Sequence, residues 1–140
     1  MRYWDSSAVI PLCLRETTSS DMRRTAEEDG DIVVWWATQT ECISALSRRR
    51  REGILRPDAE KKARAILSRL CRHWAEVQPS DRVRQRAERL LALHPLRTAD
   101  AFQLAAALVW AEEMPSGLDV VCLDQNLKEA AGKEGFTVLP

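Results

Sequence analysis

Between Ala99 and Ala111 the chain reads ADAFQLAAALVWA, and its only polar side chains are Asp100 and Gln103. A helix with no polar face belongs inside a core. It opens, however, with a carboxylate, and burying an unpaired carboxylate is costly. The chain must therefore build a core deep enough to surround a helix and also give Asp100 a reason to be there. With 140 residues, 45% of them hydrophobic, it can bury one sizeable core, so a single domain over 1–140 is expected.

The rest of the chain alternates between two periods. RYW at 2–4 reads as a strand, with Asp5 leading into a helix that begins at AVI; DIVVWW at 31–36 is a second strand. TQTECISALSRRR reads as a helix opened by Thr38 or Thr40, and another helix runs from about Pro57 to His73. WAEV is a short strand, followed by a helix capped by Ser80 and then by the apolar helix. DVVCL is a strand, QNLKEAAGKEG a helix ended by Gly135, and FTVL a last strand. Strands alternating with helices imply an α/β fold with a central parallel sheet, whose sites gather at the C-terminal strand ends.

On that frame four acids share one edge. Asp5 follows the first strand, Glu41 lies in the first turns of the helix after the second, Asp100 opens the apolar helix, and Asp124 follows VVCL. Each has an ordinary use, as a helix cap or a first-turn acid favoured by the helix dipole. Together they would raise one another's pKa and oppose folding unless a positive charge sits among them. A divalent cation meets that need. Carboxylates select hard Mg²⁺ or Mn²⁺, whereas Zn²⁺ would call for Cys or His, and His73 and His94 lack ligand spacing and read as packing or surface residues.

Net charge is zero, yet residues 48–97 hold 15 Lys and Arg against 6 Asp and Glu. A basic surface beside an acidic site suits a polyanion, and metal, carboxylates and phosphate together point to nucleic acid as substrate. The same basic runs also make ordinary solvated helix faces, RRRR at 48–51 being favourable at a helix C-terminus.

YWDSSAVI, TQTECISAL, LRTADAFQLAAAL and VVCLDQNLKEAA, in that order, resemble the four acidic motifs of the PIN domain, and in particular the toxin ribonucleases of bacterial VapBC toxin–antitoxin pairs. The resemblance implies a three-layer fold with about five parallel strands and Mg²⁺- or Mn²⁺-dependent endoribonuclease activity. It places the metal-binding and catalytic acids on Asp5, Glu41, Asp100 and Asp124, and a supporting hydroxyl on Ser7. It also implies a cognate antitoxin and a homodimer as partners. Cys122 departs from the pattern, because relatives often carry Thr or Ser there; a thiol is the poorer hydrogen-bond partner, which bears on how Asp124 is oriented.

Among the remaining residues, Thr98 reads as a cap of the apolar helix and Gln103, one turn on from Asp100, as its orienting partner or as a core hydrogen-bonder. Arg48, Arg49, Arg50 and Arg97 are the candidate RNA contacts. Trp35 and Trp36 follow a strand, where packing is the commoner role and stacking on bases the alternative. Trp4, Trp74 and Trp110 are assigned to packing. Cys13, Cys42, Cys71 and Cys122 form no ligand-like pair and read as reduced thiols; with no signal segment or membrane span in view, a cytoplasmic protein is expected. Two other functions compete. A phosphotransferase with Asp5 as nucleophile would want a second Asp where Ser7 stands. A catalytically inactive module that binds RNA or a partner on the same fold would be signalled by loss of one of the first three acids, and none is lost.

Overall fold

The computed structural model describes residues 1–140. Five strands, β1 (Arg2–Trp4), β2 (Ile32–Trp35), β3 (Ala75–Val77), β4 (Asp119–Val121) and β5 (Thr137–Leu139), pair in parallel in the order β3-β2-β1-β4-β5. Seven helices cover the sheet: α1 (Ser6–Cys13), α2 (Ser19–Asp29), α3 (Thr38–Arg51), α4 (Pro57–Cys71), α5 (Asp81–Leu93), α6 (Thr98–Trp110) and α7 (Gln125–Glu134). The expected α/β three-layer architecture is the one observed.

Period-two alternation sorts the strand side chains onto the two faces. Tyr3, Val33, Trp35, Val120 and Cys122 join the core under α5, α6 and α7. Their neighbours Trp4, Val34 and Val121 join the core under α1, α3 and α4, together with Met22 of α2. The apolar helix α6 lies against α5, α7 and the sheet, so Ala101 and the run from Gln103 to Leu108 are all buried. Its alanines let these neighbours approach closely. No helix is long and apolar enough to cross a membrane.

From β1 the chain steps outward to β2 and β3, then returns to place β4 on the other side of β1. The sheet's switch point is thus the C-terminal end of β1, where an open parallel sheet leaves a crevice for ligands. Asp5 sits there, its amide bonded to the carbonyl of Val121 at 3.0 Å.

The structure corrects several local expectations. α2 has no counterpart in the sequence reading, because SSDMRRTAEED lacks an apolar stripe and buries only Ser19 and Met22. Its entry is fixed by Ser19, whose hydroxyl donates to the carbonyl of Leu14 and accepts from the amide of Glu16. Neither Thr38 nor Thr40 caps α3: Ala37 holds the cap position without a side-chain bond. Thr98 is no cap either, since Arg97 precedes α6 and Thr98 is its first, exposed residue. α4 stops at Cys71, before His73. Ser80 does cap α5, accepting from the amide of Val83 at 3.2 Å, and Gly135 ends α7 at φ 108°, a conformation that suits glycine.

Candidate active site

A cleft of about 550 Å³ at the C-terminal edge of the sheet is lined by Asp5, Glu41, Asp100 and Asp124. They arrive from four places: the end of β1, the first turn of α3, the first turn of α6, and the cap of α7. Arg48, Ser7 and Thr40 complete much of the lining.

Asp5 is the most tightly held. Its Oδ2 accepts from the backbone amide of Ser7 at 3.0 Å, from the Ser7 hydroxyl and, at 3.7 Å, from the Cys122 thiol. The Ser7 hydroxyl in turn accepts from the amide of Leu123 at 2.9 Å, which ties the end of β4 to the acid that follows β1. Asp5 is therefore both the cap of α1 and a cleft acid. At 3% exposure, burial raises its carboxyl above the ordinary range, against the lowering effect of the Ser7, Ser6 and Cys122 donors.

Glu41 is held by Gln103. The Gln103 amide donates to Glu41 Oε2 at 2.9 Å and to the Thr38 hydroxyl at 3.1 Å, and its carbonyl accepts from the Tyr3 hydroxyl at 2.8 Å. One buried amide thus links the sheet to α3 through α6. The expected partnership of Gln103 with Asp100 is not formed: one helical turn sets the two side chains in line, but Gln103 points toward the strands. Burial raises the pKa of Glu41, Gln103 and the Ser6 hydroxyl oppose the rise, and the charges of Asp5 and Asp100 add to it.

The side chain of Asp100 makes no hydrogen bond or ion pair. Its pKa too is raised, first by burial and then by the charges of Asp124 and Asp5, with Arg97 pulling the other way. Asp124 caps α7, accepting from the amide of Leu127 at 2.9 Å. The Cys122 thiol donates to the backbone carbonyl of Asp124 at 3.5 Å and to Asp5, so the departure from Thr or Ser bears on the carboxylate of Asp5 and not on that of Asp124. Burial, followed by the charge of Asp5, pushes this thiol up, and it stays protonated as a donor.

The other expected contacts divide. Arg48 and Arg49 line the cleft; Arg48 is exposed and unpaired, whereas Arg49 is drawn to Glu16. Arg50 turns to Glu60 at 3.7 Å, outside the cleft. Arg97 is exposed beside Asp100, and Thr98 lies outside the lining. His94 pairs with Glu134 at 2.6 Å and His73 is exposed, both away from the acids.

None of the four cleft acids has an ion-pair partner, although ion pairs are spread over the rest of the surface. Oxygen donors only, with Asp5 raised above its ordinary pKa by burial and Glu41 and Asp100 by burial and then by neighbouring acids, suit a hard divalent cation. The arrangement is open: no three His, Cys, Asp or Glu side chains close into a cage. Mg²⁺ tolerates this, since it is usually held by one or two carboxylates and keeps several waters.

No curated protein matches the chain. The PIN domain family does, over residues 2–133. PIN domains are nuclease-type domains that typically use divalent metal ions. With nearly its whole length matched, and with the parallel sheet and convergent acids described above, the chain belongs to the PIN domain family.

Proposed function

We propose that this PIN domain is a Mg²⁺- or Mn²⁺-dependent endoribonuclease that serves, in the cytoplasm, as the toxin of a VapBC-type toxin–antitoxin pair. The observation that carries the reading is the cleft itself, which four carboxylates from four chain segments line without an ion-pair partner. Asp5, Glu41, Asp100 and Asp124 would hold the metal. Bound there, it supplies an activated water and neutralises charge on the phosphoryl oxygens.

The chain's own groups do the positioning. Ser7 and Cys122 fix Asp5, and Gln103 fixes Glu41, so two carboxylates are set in place before substrate arrives. Arg48, unpaired in the cleft lining, and Arg97, beside Asp100, offer positive charge to the RNA backbone near the acids. An uncontrolled ribonuclease would damage its host. A cognate antitoxin therefore covers the cleft, and a basic side chain reaching into the acids would take the place of the metal's charge. A homodimer would join two basic surfaces into one RNA-binding face.

Incubating the pure protein with RNA in Mg²⁺ and in EDTA, and analysing the RNA ends, tests the activity. Cleavage in Mg²⁺ alone is expected. RNA left intact by folded protein in both buffers favours the inactive binding module. The toxin role predicts arrested growth when this chain is expressed without a partner, and a host that grows normally with soluble, folded protein overturns that role.

A further inference from the structure

Beside the acid cleft lies a second cavity, of about 360 Å³, lined by Trp35, Trp36, Pro79, Arg84 and Phe102 among others. The two have no lining residue in common but are built from neighbouring stretches of chain. Ala37, which follows Trp36, lines the acid cleft, and α6 contributes Asp100 to one cavity and Phe102 to the other. Trp35 is buried and stacks on Phe102 with ring centroids 5.8 Å apart and planes within 2° of parallel. Trp36 differs: it is 53% exposed, in the turn between β2 and α3, with its amide anchored to the carbonyl of Val77 at 3.0 Å.

Core packing accounts for Trp35 and leaves Trp36 unexplained. An indole held by its backbone at the C-terminal edge of a sheet, with one cavity wall made of stacked rings, is a stacking platform. Arg84 at the rim is largely exposed, and its only ion pair is with Asp81 of its own helix, which also lines the cavity and is still more exposed, a pairing of little strength that leaves the guanidinium free to turn to a phosphate. Aromatic surface with adjacent positive charge is the combination that holds single-stranded nucleic acid, by stacking bases and attracting the backbone. The cavity's size falls within the range of about 300–1,000 Å³ common for small-ligand sites.

We infer that Trp36 and Arg84 form a nucleotide subsite, in which one unpaired base of a single-stranded RNA stacks on Trp36 next to the phosphodiester held at the acid cleft. This rests on the endoribonuclease reading. The nearness of the acid cleft, reached one residue on from Trp36 at Ala37, favours RNA over a second copy of the chain as occupant. Stacking accepts any base, so the subsite selects single-stranded over paired RNA and confers little sequence preference.

The test is steady-state cleavage in Mg²⁺ of a single-stranded RNA oligonucleotide, and of versions with one abasic nucleotide placed in turn near the cut. Trp36→Ala is expected to raise KM about tenfold with kcat little changed, and Trp36→Phe to recover most of the loss. One abasic position should cost the wild type a similar factor and cost Trp36→Ala almost nothing more, because base and ring are then removed as a pair. Equal abasic penalties in both proteins, or an unchanged KM for Trp36→Ala, overturn the subsite. So does a wild-type dimer that sedimentation shows to be split by Trp36→Ala, which would make the indole a contact between copies. A wild type that cleaves no RNA sinks the endoribonuclease reading; one that cleaves while Trp36→Ala matches it on every oligonucleotide sinks the stacking role alone.

Discussion

Two groups of acids in this molecule are treated in opposite ways. Where α5 meets the end of α6, Glu113 is gripped by Arg86 and approached by Arg82 at 3.9 Å. It accepts a left-handed backbone, φ 62°, in the turn that puts it there. In the acid cleft Asp5, Glu41, Asp100 and Asp124 share one space, and none has an ion pair. The chain does not lack cations near the cleft, since Arg49 lines it and yet pairs with Glu16. Glu113 is neutralised by the fold; the acids gathered in the cleft are left for a positive charge from outside the chain.

Neutralising a cleft acid should give the largest effect. Asp100→Asn is expected to lower RNA cleavage by more than about a hundredfold, because a metal supplies several kcal/mol of transition-state stabilisation. Its circular dichroism spectrum should stay native, since the Asp100 carboxylate bonds to nothing in the chain. In EDTA the variant should melt higher than the wild type, an unusual sign for a substitution, by relieving repulsion from Asp124 and Asp5. Mg²⁺ at a hundredfold excess over its dissociation constant should stabilise the wild type by about 2.7 kcal/mol and the variant much less. Full activity in Asp100→Asn, or equal responses to Mg²⁺, would remove Asp100 from the site.

Gln103→Leu tests the support behind the cleft. Glu41, Thr38 and the Tyr3 hydroxyl all lose a partner. A buried polar group left unsatisfied costs about 1–3 kcal/mol, and loss of a group that orients a metal ligand typically costs about 10–100-fold in metal affinity or activity. Tyr3→Phe, which removes one bond and leaves the Gln103–Glu41 contact, should lose some stability and keep metal affinity. If the two variants bind Mg²⁺ equally well, Gln103 is a core residue and no more.

The pH dependence separates the two groups of acids more gently. Asp5, Glu41 and Asp100 have raised pKa values in the folded state. Between the ordinary carboxylate range near 4 and those raised values, the folded metal-free protein binds more protons than the unfolded chain. Through that window these groups make the protein more stable as pH falls and less stable as it rises. In EDTA the melting advantage of Asp100→Asn over wild type should therefore shrink as pH is lowered from 7 toward about 4, while cleavage by the wild type in Mg²⁺ falls over the same range. An advantage that stays constant across this range would mean that Asp100 titrates as an ordinary surface acid.

The smallest effect is expected at Glu113. Its ion pairs are partly exposed, and such pairs are worth about 0–1 kcal/mol, so Glu113→Gln should lower the melting point slightly and leave cleavage and the Mg²⁺ response alone. A change in cleavage as large as that of Asp100→Asn would erase the distinction between the two groups.

Much of this was legible before the structure because strands and helices write different periods into a sequence. Tyr3 and Trp4, or Val33 and Val34, alternate between two apolar faces, which announces a sheet covered on both sides. Asp5 and Asp124 each end a short apolar run, which places them at strand ends whatever the strand order. The misses have a common cause. α2 is held by a few tertiary contacts and the Ser19 bonds, so its sequence carries no stripe. Thr38 and Thr98 have the chemistry of caps, but the chain enters both helices one residue earlier; Thr38 is drawn into the core by Gln103.

The sequence by itself determined the layered α/β fold, the burial of α6 and the presence of an acid at each of four element ends, because these follow from side-chain period and from which residues can start a helix. The sequence also placed the four acids on one edge; only the tertiary structure decided how each is held and which strands bring them there. Backbone hydrogen bonds between parallel strands are the same for any pair of side chains, so nothing local in VVCL says that it will lie against RYW and bring Asp124 to Asp5. Gln103 reaches Glu41 across 62 residues, not Asp100 three positions away, because a buried amide bonds to whatever polar groups the packed layers present. The exposure of Trp36 beside a buried Trp35 has the same origin: Trp35 ends β2 and packs on Phe102 of α6, whereas Trp36 lies in the turn beyond the strand, where the covering layers leave its indole to water.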